Sequence, residues 1–297
     1  MRHLARRGSG FTLVELIAVI TLSSILGLVV WRNLSLPIRG FVDVKQRTAI
    51  VAMARLALGR MRRELTLALP NSVRVSSDGL ALEMLRTSAS GRYRAEAVPS
   101  DAASNPLNLS ATGDSFQTLG AWTIPTSVRT SADVTACLAG TADCLVIYNT
   151  GIPSSCAAQT AGTRTNAWCG DNLAGIVSAV AATGVITVNR AAAGTVWPTG
   201  SPEQRFFVVD TAVSFICSGT SLRRYSGYAL TSTQPIPPSV TGNLLADSVA
   251  ACAFSYQTGS ATRAGLVNLS LTLSVTNPDG VVEKITLFDQ VHLPNSP

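Results

Sequence analysis

Residues 11–31 read FTLVELIAVITLSSILGLVVW, 21 positions with one formal charge, Glu15. As an α-helix this run is about 30 Å long, the thickness of a bilayer's hydrocarbon core. Helical periodicity returns over residues 41–69, where Val51, Ala54, Leu58, Met61 and Leu65 recur every three or four positions. That spacing predicts one apolar stripe along a second helical stretch. Lys45, Arg47, Arg60, Arg62 and Arg63 lie mostly off the stripe. The stripe is expected to dock on the chain's own β-domain and the basic face to be solvated, with lipid headgroups the alternative partner. Pro70 predicts the end of the helix. Pro37 and Gly40 predict a kink or a locally melted turn just beyond the apolar run.

Beyond residue 70 the period changes to that of strands. Candidate strands are 72–76, 80–85, 144–148, 175–180, 185–189, 205–210, 213–217, 249–256, 266–275 and 281–293. Alanine-, serine- and glycine-rich stretches, notably 86–135 and 150–172, separate them as loops. Leu269, Leu271 and Leu273 alternate with Ser270, Thr272 and Ser274, the pattern of a sheet with one wet face. Asn277-Pro-Asp-Gly280 is a strong turn signal, so the last two strands are expected to form a hairpin. The fold class predicted is α+β, a long N-terminal helix followed by an antiparallel β-rich domain. The expected segments are 1–10, 11–31, 32–69 and 70–297.

Charge refines this picture. The formal net charge of +6 suggests an acidic partner until the charges are located. Residues 1–69 hold eleven Lys and Arg against three acids, and residues 70–297 hold twelve against fourteen. A nucleic-acid-binding face spread over the body is therefore not expected. Arg2, Arg6 and Arg7 precede the apolar run. By the positive-inside bias the N-terminus is expected in the cytoplasm and everything after Arg32 outside. Residues 28–33, LVVWRN, offer no small-x-small site for cleavage behind the run.

Catalytic chemistry has little material. The two histidines, His3 and His292, lie at opposite ends of the chain. An imidazole-built metal site, a metalloprotease helix and a serine triad are thereby disfavoured. Nucleotide-binding glycine motifs and C-x-x-C are absent from the sequence. No enzymatic activity, cofactor or metal is expected. Asn277, Asp279 and Asp289 form no clustered acidic loop and read as turn and surface residues, not a calcium site. Cys137, Cys144, Cys156, Cys169, Cys217 and Cys252 all follow the apolar run, on the side expected to be oxidising. Six cysteines allow 15 pairings. Proximity favours Cys137 with Cys144 and Cys156 with Cys169, which leaves Cys217 with Cys252. A cysteine-built zinc site is the rival, but C-x6-C and C-x12-C are poor metal spacings.

Glu15 is the exception within the apolar run. A carboxylate there costs roughly 2–3 kcal/mol unless it is partnered or near the interface. Alone, it could sit at headgroup level or be carried protonated. Its flanks change the reading. Gly10-Phe11-Thr12-Leu13-Val14-Glu15, behind a short basic leader and opening an apolar helix, resembles the processing site of type IV prepilins and type II secretion pseudopilins. The resemblance implies a pilin-like fold, with the long helix packed on the β-domain. It also implies cleavage after Gly10 by a membrane prepilin peptidase and methylation of the new Phe11 amine. Glu15 would then pair with the Phe11 amine of a neighbouring subunit. Joining two opposite charges in hydrocarbon removes the cost of burying each alone and fixes axial register.

Four further segments resemble the MshO-type minor pilins of the mannose-sensitive haemagglutinin (MSHA) pilus system. They are residues 67–75 (LALPNSVRV), 205–210 (RFFVVD), 244–256 (LLADSVAACAFSY) and 290–295 (QVHLPN). PilW-type minor pilins and the J-type pseudopilin share this likeness. A mature chain of 287 residues after loss of ten is larger than the usual repeating subunit. The resemblance thus implies a tip or occasional subunit that initiates or caps a pilus and contributes to surface attachment. Its expected partners are the peptidase, other major and minor pilins, and the inner membrane before assembly. A glycan-binding adhesin is the rival of another class, with four Trp and five Tyr as its scant aromatic material.

Overall fold

The computed structural model describes residues 10–101, 104–120, 127–152, 154–190, 196–259, 263–277, 280–293 and 297, with the backbone alone for 35–39. The basic leader with Arg2, His3, Arg6 and Arg7 lies outside the described residues, and so does Asp279. The chain divides into two compact units, Met1–Ile50 with Val275–Glu283, and Val51–Ser274 with Lys284–Pro297. The organisation is α+β.

One helix, α1, covers Leu13–Leu65. The backbone is helical through Pro37 and Gly40, so the melted turn that the sequence offered as one alternative there does not form. α1 also ends four residues before the expected stop at residue 69. Thr66, Leu67 and Ala68 tighten into turns on the carbonyls of Arg62, Glu64 and Leu65. The next residues pair with a strand: the Leu69 amide donates to Leu85, and the Thr87 amide to Leu67. Competition from this ladder, and not Pro70, stops the helix.

In the first unit the hairpin turn closes on itself. The Asn277 amide donates to the Val281 carbonyl and the Gly280 amide to the Asn277 carbonyl. Gly280 has φ +80°, a left-handed conformation that a glycine adopts without a Cβ penalty. Arg47 pairs with Glu283 in this unit.

The second unit carries the core. Its strands are β1 (Arg74–Val75), β2 (Ala81–Arg92), β3 (Gly113–Gln117), β4 (Cys144–Ile147), β5 (Leu173–Val180) and β6 (Val185–Asn189). They continue with β7 (Arg205–Ser218), β8 (Ser221–Ser226), β9 (Asn243–Ala246), β10 (Val249–Gln257), β11 (Gly265–Thr276) and β12 (Val282–Leu293). A short helix, α2 (Val134–Leu138), is capped by the Asp133 carboxylate on the Thr135 amide. Strands β1 to β9 form an antiparallel sheet in the order β1-β2-β7-β4-β5-β6-β3, with β8 and β9 continuing from β7. Strands β10, β11 and β12 form a second sheet in that order, with the expected hairpin neighbours side by side.

β7 organises the large sheet. It pairs along Arg205–Ile216 with β2, along Phe206–Val209 with β4, and along Val213–Ser218 with β8. The sequence suggested two strands, 205–210 and 213–217, separated at Thr211-Ala212, but the chain runs through as one. The change of partner occurs there, opposite a bulge at Thr87 in β2. Arg86 donates to Asp210 at 3.0 Å, and the Gly227 amide to the Thr211 hydroxyl, so polar side chains support the crossover point.

Both faces of this sheet are covered. Leu145, Ile147, Phe206 and Val208 belong to one apolar cluster, Cys144, Val146 and Val209 to the other. This explains the continuous apolar reading of β4, since a strand buried on both sides has no polar face. β11 keeps the predicted alternation, with Leu269, Leu271 and Leu273 buried and Asn268, Ser270 and Thr272 half-exposed. The second stretch of α1 buries Ala54, Ala57, Leu58, Met61 and Leu65, close to the stripe expected. Its register on the body is held by charge as well as by packing. Arg224 of β8 donates from Nε to both Glu64 oxygens at 2.8 Å, and Arg62 pairs with Asp289 of β12.

Candidate functional site

The first turn of α1 places Phe11, Thr12 and Glu15. Thr12 caps the helix: its carbonyl accepts from the Leu16 amide at 3.1 Å and its hydroxyl from the Glu15 amide at 3.3 Å. Thr12-Leu-Val-Glu15 has the T-x-x-E spacing of a capping box, a signal in the sequence that the reading above passed over. An acid at this position also faces the positive end of the helix dipole, which stabilises carboxylates by about 0.3–1 kcal/mol at exposed sites. Glu15 thus has a local reason to sit where it does, apart from any intermolecular one.

The local reason does not satisfy the carboxylate. Among the described residues the Glu15 side chain has no hydrogen-bond or ion-pair partner. Three other polar side chains of the apolar stretch behave differently. Thr21 donates to the carbonyls of Ile17 and Ala18, Ser24 to Ile20, and Asn33 to Val29. These internal bonds keep hydroxyl and amide groups tolerable in an apolar surrounding. Leu13–Leu34 is long and apolar enough to cross a membrane, and none of it is buried against the described chain. Phe11, Leu13 and Val14 are each about three-quarters exposed. A helix with this surface needs either lipid or other helices around it.

The cysteines fall as proximity suggested. Cys137 is bonded to Cys144, Cys156 to Cys169 and Cys217 to Cys252. The third bridge ties β7 to β10 and so joins the two sheets. Asp289 is committed to Arg62. No group of three His, Cys, Asp or Glu among the described residues is placed to hold a metal ion.

An exposed apolar helix that opens on a capped acid without a partner among the described residues, followed by a disulfide-bonded β-domain, is consistent with a single-pass membrane anchor. Residues 5–31 match the prokaryotic N-terminal methylation motif. That match supports a type IV pilin-like or pseudopilin-like protein, a structural subunit processed by prepilin peptidase and assembled with other pilins. No curated protein and no solved structure matches the chain.

Proposed function

We propose that the chain is a minor pilin of a type IV pilus of the MSHA kind. Prepilin peptidase cuts after Gly10, the Phe11 amine is methylated, and the subunit waits in the inner membrane with its β-domain in the periplasm. It then enters the filament, where it initiates or caps the fibre and contributes to surface attachment. The single observation that carries this reading is the unpartnered Glu15 carboxylate in the capped first turn of an unburied apolar helix. A free α-amine created at Phe11 of a neighbour is a cation of the right kind for it, in a medium where both charges are costly unless joined. The MSHA assignment rests on the four segments that resemble MshO-type minor pilins. In the fold the first three fall after α1, on β7 and on β9–β10, and residues 290–293 of the fourth on β12.

The test is mass spectrometry of the mature N-terminus from the native host. An N-methylated Phe11 supports the reading. An intact Met1, or a cut behind the apolar run, overturns it. A J-type pseudopilin of type II secretion has nearly the same parts, and neighbouring genes for pilus or secretion-channel components separate the two.

A further inference from the structure

Between β4 and β5 the chain runs for 25 residues, 148–172, and its described residues form two single-turn 3-10 segments, Cys156–Ala158 and Ala167–Cys169. Loops of this length without regular structure are uncommon in compact domains and are mostly either disordered or functional. Disorder does not fit the described part of this one, because it is pinned at several points. Cys156 is bonded to Cys169. Arg164 holds Asp171 through two nitrogens, at 2.5 and 2.7 Å, and also donates to the Cys156 carbonyl. Buried Asn149 accepts from the Ala167 amide at 2.7 Å and donates to the Pro70 carbonyl at 2.6 Å. Trp168 donates from its indole nitrogen to the Ser72 carbonyl at 2.8 Å. Two left-handed residues meet at the loop's root, Asn71 at φ +58° and Gly151 at φ +72°. A Cβ on Gly151 would lie 2.8 Å from the Asn71 carbonyl oxygen, so the close approach requires a glycine.

This construction frames a pocket of about 320 Å³, whose lining includes Asn71, Arg74, Ser154, Trp168, Tyr256 and Thr258. That volume is at the small end of ligand sites. Its only charged lining residue among those described, Arg74, is spent. Arg74 donates from Nε to Glu83 at 2.5 Å, and from its two terminal nitrogens to the Ser232 and Thr231 carbonyls at 2.7 and 3.0 Å. Its guanidinium lies 3.8 Å over the Trp168 ring. An anion would find no free positive charge here, and a cation no lining carboxylate. What remains is uncharged: the half-buried phenol of Tyr256 and the hydroxyls of Ser154, Ser232 and Thr258. None of these has a hydrogen-bond partner among the described residues. The buried Trp168 ring is taken up by Arg74, so donors and acceptors of this kind beside the half-buried Tyr256 ring suit a ligand with both hydroxyls and C–H surface. A purely apolar ligand would strip water from them without replacing its bonds.

We propose that this pocket binds a small neutral hydroxyl-rich ligand of monosaccharide size, a hexopyranoside, with Tyr256 contributing both ring and hydroxyl. The proposal does not rest on the filament reading, since binding is measured on the unassembled chain.

The experiment uses the full chain in a zwitterionic, sugar-free detergent. Methyl glycosides of glucose, galactose, mannose and N-acetylglucosamine are titrated, with a glucuronide, a glucosaminide and a neutral N-acetylated amino-acid amide as comparison ligands, and followed by saturation-transfer NMR and tryptophan fluorescence. At least one is expected to bind saturably. Tyr256→Phe removes one hydroxyl and is expected to weaken that binding about tenfold, the worth of roughly 1.4 kcal/mol for a lost hydrogen bond. Thr258→Trp is expected to fill the pocket and abolish binding while leaving thermal unfolding unchanged. Three results overturn the proposal: no saturable binding by any of the four, unaltered binding in both variants, or preference for a glucuronide, a glucosaminide or a neutral N-acetylated amino-acid amide.

Discussion

The Glu64–Arg224 pair is the sharpest test of how α1 is held on the β-domain. Both side chains are nearly covered, at 11% and 7% exposure, and Arg224 Nε reaches both carboxylate oxygens at 2.8 Å. Arg224 also donates to the Ser226 hydroxyl at 2.7 Å, and Arg60 to Glu64 at 3.1 Å. Glu64→Ala would leave the Arg224 guanidinium buried with one hydroxyl for company. Removing one partner of a buried pair costs about 3–5 kcal/mol, because the other charge loses its compensation. For a domain of this size each kcal/mol shifts the melting temperature by about 2–4 °C, so a fall on the order of 10 °C is expected. Replacing both partners, as Glu64→Leu with Arg224→Met, removes the charge and the need for it together. It should recover most of the loss, since apolar substitution of a whole buried pair is often neutral. Thermal unfolding of wild type, Glu64→Leu, Arg224→Met and the double variant in one detergent, read as a double-mutant cycle with Glu64→Ala measured beside it, gives the coupling directly. A Glu64→Ala loss below about 1 kcal/mol, or a double variant as damaged as the two single losses added, would refute the reasoning.

Three further outcomes follow from the β-domain. Replacing Cys217 and Cys252 by serine should cost about 2–4 kcal/mol, as a bridge closing a loop of this length contributes, measured by urea unfolding; the spacing is 35 residues. Burial pushes the Glu83 carboxyl above its ordinary range, against the pull of Arg74 and the hydrogen bonds it accepts. A raised folded value means a contribution present below about pH 4.5 that is lost as pH rises through it. Wild-type stability minus that of Glu83→Gln should therefore decline with pH above 4.5 in urea titrations, and a rise would contradict the assignment. Gly175→Ala places a Cβ against the Asp133 carbonyl oxygen in the middle of the sheet; it should destabilise by at least about 1–3 kcal/mol, the usual cost of overpacking, and a neutral result would mean that the α2 segment shifts freely.

The legible and illegible parts of the fold differ for physical reasons. The apolar run, the stripe at Ala54, Leu58, Met61 and Leu65, and the alternation of β11 were readable because burial imposes its own period on the chain. The disulfides were readable because two pairs are close in sequence and the third follows by exclusion. β3 (Gly113–Gln117) has one buried apolar residue, Phe116, and the second half of β2 reads Arg86-Thr-Ser-Ala-Ser-Gly-Arg92. Both are strands because β6 and β7 offer them a ladder, which no local pattern reveals. β8 and β9 were missed in the same way, attached through the C-terminal half of β7. At the N-terminus the motif carried almost everything, and only the Thr12 cap went unread although its spacing was present. The pocket was invisible because residues as far apart as Arg74, Ser154, Trp168, Ser232 and Tyr256 line it and meet only in the folded domain.

Incorporation of Glu15 variants into filaments tests the central claim most directly. Sheared fibres from cells expressing wild type, Glu15→Ala or Glu15→Asp in place of the native subunit are assayed for the subunit, with membrane levels and N-terminal processing measured in parallel. The account predicts that Glu15→Ala is processed at Gly10 and accumulates in the membrane but is lost from fibres, while Glu15→Asp, which keeps the charge, retains partial incorporation. Equal amounts of Glu15→Ala and wild type in the fibres would contradict it.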